Sequence, residues 1–376
     1  MATNLTDSMG YKVDWFQCTE SDNFSDFLLL KDSKFWNFLE ELGYKVEDFE
    51  GISGRYFYEK GLTLSRYFTI YYNLEKNPYT GPTIYFQFTG QGSTDLAQKL
   101  ANFYKINDFA EIWFKFFKQV TKFELNVTRL DIALDDYAGV LNFDKIERKL
   151  TRREFKASKR SYNIVKEKST DGKIKGETIY LGARKRHQNG YIVRFYDKLA
   201  EYKAKGAIVP TEVENVVTGE GSHVWQRYEI EIRGSAATNF IEKILGGYSF
   251  GQVYKGLMRN TIEFLKPNRK NANHAYWKMA DWWSDFLDDA EKCSLTDPER
   301  DVNLGRLLKW LYVGVSQSLH LLQDIGEVRG FDIYEMLKAV PKKDYAKKQE
   351  RLKHDVLAMS QEDLEMYLNQ FKEGGY

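Results

Sequence analysis

The sequence predicts an α+β fold: a mainly antiparallel sheet carrying a polar working face, followed by a helical domain. Two patterns predict the sheet. Through residues 1–248, short segments rich in aromatic and β-branched residues alternate with segments of helical period. Within "SYNIVKEKSTDGKIKGETIYLGA", Asp171-Gly172 supplies hairpin turn chemistry between two strand-like arms. The third observation is a change of character after residue 250, where no good strand pattern remains and residues 249–376 read as helices punctuated by Gly and Pro.

In chain order the strand-like segments are "VDWFQCTE", "YFTIYYNLE", "PTIYFQFTGQG", "VTRLDIALDD", "TIYLGAR", "YIVRFYDK" and "WQRYEIEIRG". Between them "DSKFWNFLEELG", "STDLAQKLANFYK", "DFAEIWFKFFKQVTKF", "NFDKIERKLTRREF" and "ATNFIEKILGG" repeat apolar residues at helical spacing. The helical remainder comprises "FGQVYKGLMRNTIEFLK", "MADWWSDFLDDAEKC", "VNLGRLLKWLYVGVSQSLHLLQDIG" and a long charged terminal stretch.

Composition narrows the function. A chain of 376 residues with 43% hydrophobic residues has ample material for a packed core. The formal net charge is only +1, so a nucleic-acid partner must be argued from local clustering. Cys18 and Cys293 lie far apart without metal spacing, which suits a reducing compartment. No apolar run approaches the ~20 residues of a membrane span, and Met1 to Gly10 lacks the apolar segment of a signal peptide. A cytoplasmic location is expected.

Three strands carry charged rows. Side chains two apart on a strand share a face, so "YIVRFYDK" sets Tyr196 between Arg194 and Lys198, with Tyr191, Val193 and Phe195 on the other side. In "RLDIALDD" the acids Asp131 and Asp135 flank Ala133 on one face. They lie ~13 Å apart along a regular strand, so a metal site would take one acid from each of two strands. In "WQRYEIEIRG" the charged row is Arg227, Glu229, Glu231 and Arg233. A half-solvated antiparallel sheet with cross-strand ion pairs shows the same alternation, and the pattern leaves both readings open.

Local charge clustering adds a second signal. Residues 145–168 hold ten Lys or Arg against three Asp or Glu. Arg152, Arg153, Lys156, Lys159 and Arg160 lie there, and Arg184, Lys185 and Arg186 follow the hairpin. Cations neutralise phosphates, and the interleaved Phe155 and Tyr162 would allow base stacking. A solvated helix and a lysine-rich hairpin would look alike. "FTGQGS" resembles a phosphate cradle but lacks the remaining features of the dinucleotide and P-loop motifs, and a strand-to-helix turn explains it equally. The histidines show no pair at ligand spacing.

The ordered set "TRLDIALDD", "IYLGARK", "RFYDKLAEY" and "WQRYEIEIRG" resembles the Rep-trans family, which comprises initiators of rolling-circle plasmids and the related relaxases of conjugative elements. The family pattern Thr-Arg-Leu-Asp with an acid four residues on falls on Thr128 to Asp131 and Asp135. Its Tyr/Phe-Gly, Arg-x-Tyr-Asn/Asp-Lys and Arg-x-Glu-Ile-Glu elements fall on Tyr180 to Gly182, Arg194 to Lys198 and Arg227 to Glu231. Thr89 to Gly92 is similar to an upstream element of the relaxases. The resemblance covers residues 80–240 and is silent on the first sixty.

The resemblance implies a nicking-joining enzyme in which Tyr196 attacks a phosphodiester and becomes linked to the 5′ phosphate, helped by Arg194 and Lys198. It implies Mg²⁺ or Mn²⁺ held by Asp131 and Glu229, with Glu231 and Asp135 in reserve. It also implies origin DNA with inverted repeats, a host helicase and a homodimer as partners, and leaves residues 249–376 for origin recognition or assembly. The chain departs from the family in having Leu199 where a second lysine often follows, and its start does not resemble a helix-turn-helix. Two other readings stay open: a noncatalytic origin-binding or regulatory protein, and a metal nuclease that activates water without a covalent intermediate.

Overall fold

A computed structural model describes residues 9–22, 28–172, 174–183, 190–204 and 224–295, the last without 269, 272, 289 and 294. In the C-terminal part it describes 304, 307–308, 311–341, 345, 347–357 and 361–372. Contacts divide the chain into two compact units, Met1–Thr296 and Asp297–Tyr376.

The first unit is built on one antiparallel sheet of ten strands among the described residues. The strands are β1 (Met9–Ser21), β2 (Glu50–Ser53), β3 (Lys60–Leu64), β4 (Phe68–Tyr72), β5 (Thr83–Phe88), β6 (Asn126–Asp136), β8 (Tyr162–Lys168), β9 (Ile174–Leu181), β10 (Gly190–Asp197) and β11 (Gln226–Arg233). Their spatial order is β2-β3-β4-β5-β1-β6-β11-β10-β9-β8. The α+β class expected from the sequence is the one observed, and Gly172 takes the left-handed conformation in the β8–β9 hairpin.

One face of the sheet is sealed by helices. The alternating rows Phe16 and Val13 of β1, Leu130 and Ile132 of β6, Phe195 of β10, and Tyr228 and Ile230 of β11 are buried there. They meet α1 (Lys34–Glu41), α3 (Phe109–Lys122) and α8 (Asp281–Leu287) through aromatic contacts such as Phe35–Phe86, Phe16–Phe116 and Phe195–Trp283. Edge-to-face pairs of this kind add to the burial of the rings themselves. The opposite rows therefore belong to the other face, and they carry the charged residues.

Helix α2 (Gly90–Tyr104) starts directly after β5, so the Gly-x-Gly segment is the first turn of a helix rather than a strand end. A Cβ on Gly92 would lie 2.3 Å from the Tyr67 carbonyl oxygen, which explains the glycine by close backbone approach. Helix α4 (Phe143–Thr151) follows β6, and α5 (Lys198–Ala204) follows β10.

The division of the chain falls later than the expected boundary at residue 248. Helices α6 (Ser235–Leu245) and α7 (Phe250–Thr261) both belong to the first unit. The helical reading of "FGQVYKGLMRNTIEFLK" holds only to Thr261. Ile262–Phe264 then form a short strand, β12, paired with β7 (Phe155–Ala157). The Tyr254 hydroxyl donates to the Tyr228 carbonyl at 2.6 Å, tying α7 to the central sheet. Residues 249–296 thus complete the α+β unit. The second unit, among its described residues, is helical over Ser316–Arg329, Ile333–Ala339, Lys347–Leu357 and Gln361–Lys372. No helix of the described residues is long and apolar enough to cross a membrane.

Candidate active site

Register brings the charged rows together. Arg194 of β10 faces Glu229 of β11, which faces Ala133 of β6 and, beyond it, Lys12 of β1. One step along, Tyr196 faces Arg227, which faces Asp135. Asp131 and Glu231 are also direct cross-strand neighbours. Since opposed residues in an antiparallel pair point to the same side, all of these lie on the face away from the helices.

Tyr196 is 7% exposed and donates its hydroxyl to Glu229 Oε2 at 3.1 Å. Glu229 is fully buried, and its other oxygen accepts from the Arg194 guanidinium. Arg194 and Lys198 lie against the Tyr196 ring, 5.4 and 5.5 Å from its centroid. Burial and the Glu229 carboxylate push the phenol well above its ordinary value, while Arg227 and Arg194 pull the other way. The tyrosine is therefore neutral, with its hydroxyl donated to the Glu229 side chain.

Lys198 reaches Tyr196 by a route the strand period did not show. β10 ends at Asp197, whose carboxylate accepts from the Ala200 backbone N–H at 2.8 Å, and Lys198 opens α5. The Lys198 ammonium is held by Glu201 at 2.7 Å, an i,i+3 pair within the helix.

The remaining acids are each bound by arginine. Asp131 receives two hydrogen bonds from Arg129, at 2.9 and 2.5 Å, and Glu231 receives one from Arg233 at 2.6 Å and one from Arg129 at 3.4 Å. Asp135 receives a two-pronged bond from Arg227, at 2.6 and 2.8 Å. Burial pushes the Asp131 carboxyl well above the ordinary carboxylate range, with Arg129 opposing the shift. These oxygens are the donor type that Mg²⁺ or Mn²⁺ takes. Yet among the described residues no three His, Cys, Asp or Glu side chains converge to hold an ion. The carboxylates as arranged do not fit an acid-held metal centre, because guanidinium groups stand where its charge would be.

Arg227 and Asp14 are site residues that sequence reasoning did not assign. Arg227 is 2% exposed and also donates to Asp14, which sits at a register irregularity of β1 between Val13 and Trp15. The bulge sets both Asp14 and Trp15 on the charged face, between the buried Val13 and Phe16. Breaking a buried ion pair by removing one partner costs about 3–5 kcal/mol. Arg227→Met is accordingly expected to lower stability in denaturant unfolding by about that amount, and adding Asp135→Leu to restore part of it. An unchanged unfolding midpoint in the single variant would contradict the network.

These residues open on a groove of about 1170 Å³, lined by Lys12, Asp14, Trp15, Arg129, Arg194, Tyr196, Lys198 and Arg227 on the sheet side. Thr89, Gly90 and Gln91 at the start of α2 also line it, with Arg66. A buried N–H of Arg194, on Nε, has no hydrogen-bond partner within the described structure. A wall of cations and a helix N-terminus suit an anionic ligand.

The clustered basic residues have different surroundings in the structure. Arg152, Arg153 and Arg160 are exposed. Lys156 donates to the Ala275 carbonyl at 3.2 Å. Lys159 lies over the Tyr191 ring at 3.6 Å, and burial pushes its ammonium down to about 8. Phe155 and Tyr162 pack edge-to-face on each other. Arg184, Lys185 and Arg186 lie outside the described residues.

A family model described as "Replication initiation factor" (Rep_trans) matches residues 125–337, and the chain belongs to that family. It is 25% identical over 240 residues to the Bacillus subtilis (strain 168) protein named "Putative DNA relaxase NicK", a match covering 63% of this chain and 64% of that protein. Among solved structures it is similar to a rolling circle replication initiator protein from Geobacillus stearothermophilus. The TM-score is 0.57 at 25% identity, covering 77% of this chain and 98% of that one.

Proposed function

We propose that the protein is a sequence-specific DNA nicking-joining enzyme that cuts one strand at an origin by tyrosine transesterification. It would serve rolling-circle replication of a plasmid or phage satellite, or transfer of a conjugative element. The carrying observation is the Tyr196 hydroxyl donated to the buried Glu229 carboxylate, at the edge of a cation-lined groove. A phenol ordinarily titrates near ~10, so attack at neutral pH needs an acceptor for its proton.

In this reading Tyr196 Oη attacks the scissile phosphorus as its proton passes to Glu229. The Oη–P bond forms, the bond from phosphorus to the 3′ oxygen breaks, and that oxygen leaves with a proton from water. The DNA 5′ phosphate stays on Tyr196. Arg194 and Lys198 supply positive charge to the phosphoryl oxygens as negative charge builds. Attack by a 3′ hydroxyl on the phosphotyrosine reverses the step and rejoins the strand. The bond energy is retained, and no nucleotide cofactor is consumed. A requirement for Mg²⁺ or Mn²⁺ belongs to this proposal only if the ion displaces arginine from the acids. Origin DNA with inverted repeats, a host helicase and a second copy of the chain are the proposed partners.

The test uses supercoiled DNA carrying the inverted repeats that flank the gene, with and without each ion. Open circles bearing protein that survives denaturation are expected. Binding without cutting would replace the enzyme by an origin-binding module, and cutting without attached protein would replace the tyrosine by activated water.

A further inference from the structure

The same face of the sheet that carries Tyr196 continues well beyond the groove. Trp15, under the Arg129 guanidinium at 4.1 Å, donates to Gln17 at 3.1 Å, and Gln17 faces Gln87 across β1 and β5. Tyr85, two residues from Gln87 on the same row, donates to it at 3.3 Å. Tyr85 faces Tyr71 of β4, and Tyr56 caps both rings with centroids at 5.5 and 5.8 Å. A polar row thus leads from the groove to a cluster of tyrosines four to five interstrand spacings from β10, ~19–24 Å across the sheet.

At the end of that row two loops hold aromatic rings in solvent. Phe57 is 74% exposed and Tyr79 79% exposed, and the two stack with centroids 5.6 Å apart. Tyr56 and Phe57 have φ of 56° and 71°, a backbone region that side-chain-bearing residues rarely adopt. The loops are tied together: Asn77 donates to the Phe57 carbonyl, and Glu59 accepts from the Leu74 backbone N–H. Arg55 lies over the Tyr56 ring at 5.2 Å. Backbone strain here holds rings outward instead of burying them.

We propose that these loops form a stacking platform for single-stranded DNA running along the sheet from the nick site. The inference rests on the nicking reading for the identity of the strand. Rigid, exposed aromatic faces with a neighbouring cation take bases of any sequence. The continuous polar row favours a strand reaching both sites over an unrelated protein partner.

The experiment measures binding of labelled oligothymidylates of about six and about thirty nucleotides by the full-length protein. The short strand fills only one site, and the long one spans both. The double variant Phe57→Ala/Tyr79→Ala is expected to bind the long strand about tenfold or more weakly, at unchanged thermal melting, and the short strand as before. Phe57→Tyr/Tyr79→Phe, which keeps the stack, should bind as the wild type does. Tyr196→Phe should also keep the length advantage, so an adduct mapped to another residue leaves the platform standing. Unchanged long-strand affinity in the alanine variant overturns it. So does a loss accompanied by dissociation of a dimer, which would assign the rings to a second copy of the chain.

Discussion

Tyr196→Phe is expected to reduce nicking and covalent adduct to background while origin binding and the fold persist. The substitution removes one oxygen from a ring that is otherwise packed, so no cavity opens. Glu229 keeps its bond to Arg194, and the lost hydrogen bond costs about 1 kcal/mol. The same change at other tyrosines has a different expected result. Tyr191 points to the helical face, where Asn260 donates to it at 3.0 Å, and Tyr228 is buried against Phe195. Phe at Tyr191, Tyr202 or Tyr180 should leave the adduct in place. Agarose shifts of supercoiled origin DNA under denaturing conditions read both outcomes.

Glu229→Gln is the second large effect. The amide preserves shape, but its single oxygen can accept from Tyr196 or from Arg194, not both, and it cannot take the proton. Nicking should fall about 10²- to 10⁴-fold with DNA binding retained. The pH profile separates a proton acceptor from a structural residue. Burial holds the phenol above its ordinary value, so its ionised fraction rises about tenfold per pH unit below that value. With Glu229 removed as acceptor, residual nicking should climb with pH across the neutral and mildly alkaline range. A flat residual rate would deny Glu229 this role.

Much of the sheet was legible in the sequence because β6, β10 and β11 alternate strictly, with one row apolar and the other charged. That alternation put Tyr196 and Arg194, Glu229 and Glu231, and Asp131 and Asp135 each on the polar row of its own strand; strand register brings the three rows to one face. The alternation could not show what each acid touches. Arg129 binds Asp131 from two residues away on the same strand, and Arg227 reaches Asp135 across strands, so side chains read as metal ligands sit in ion pairs. Lys198 was misplaced because the strand period was carried one residue past Asp197. Asp14 was not assigned because its partner Arg227 lies two strands away in the sheet, a neighbourhood that local alternation does not carry.

The outer strands escaped for other reasons. β2 is four residues long, contains Gly51 and is mostly exposed, so it has no apolar row to count. β12 continues a helical pattern in the sequence and becomes a strand only by pairing with β7, more than a hundred residues earlier. Such pairing is a tertiary effect that local propensity does not carry.

The central claim is that Tyr196 is the group that joins to DNA. Its most direct test is peptide mass spectrometry of the covalent complex formed on origin DNA, after digestion of both protein and strand. The account predicts a nucleotide remnant joined through phosphate to Tyr196 in the peptide around "YIVRFYDK". A remnant on any other tyrosine, with Tyr196 recovered unmodified, would contradict it and leave Arg194, Tyr196 and Glu229 as an ordinary buried ion-pair row.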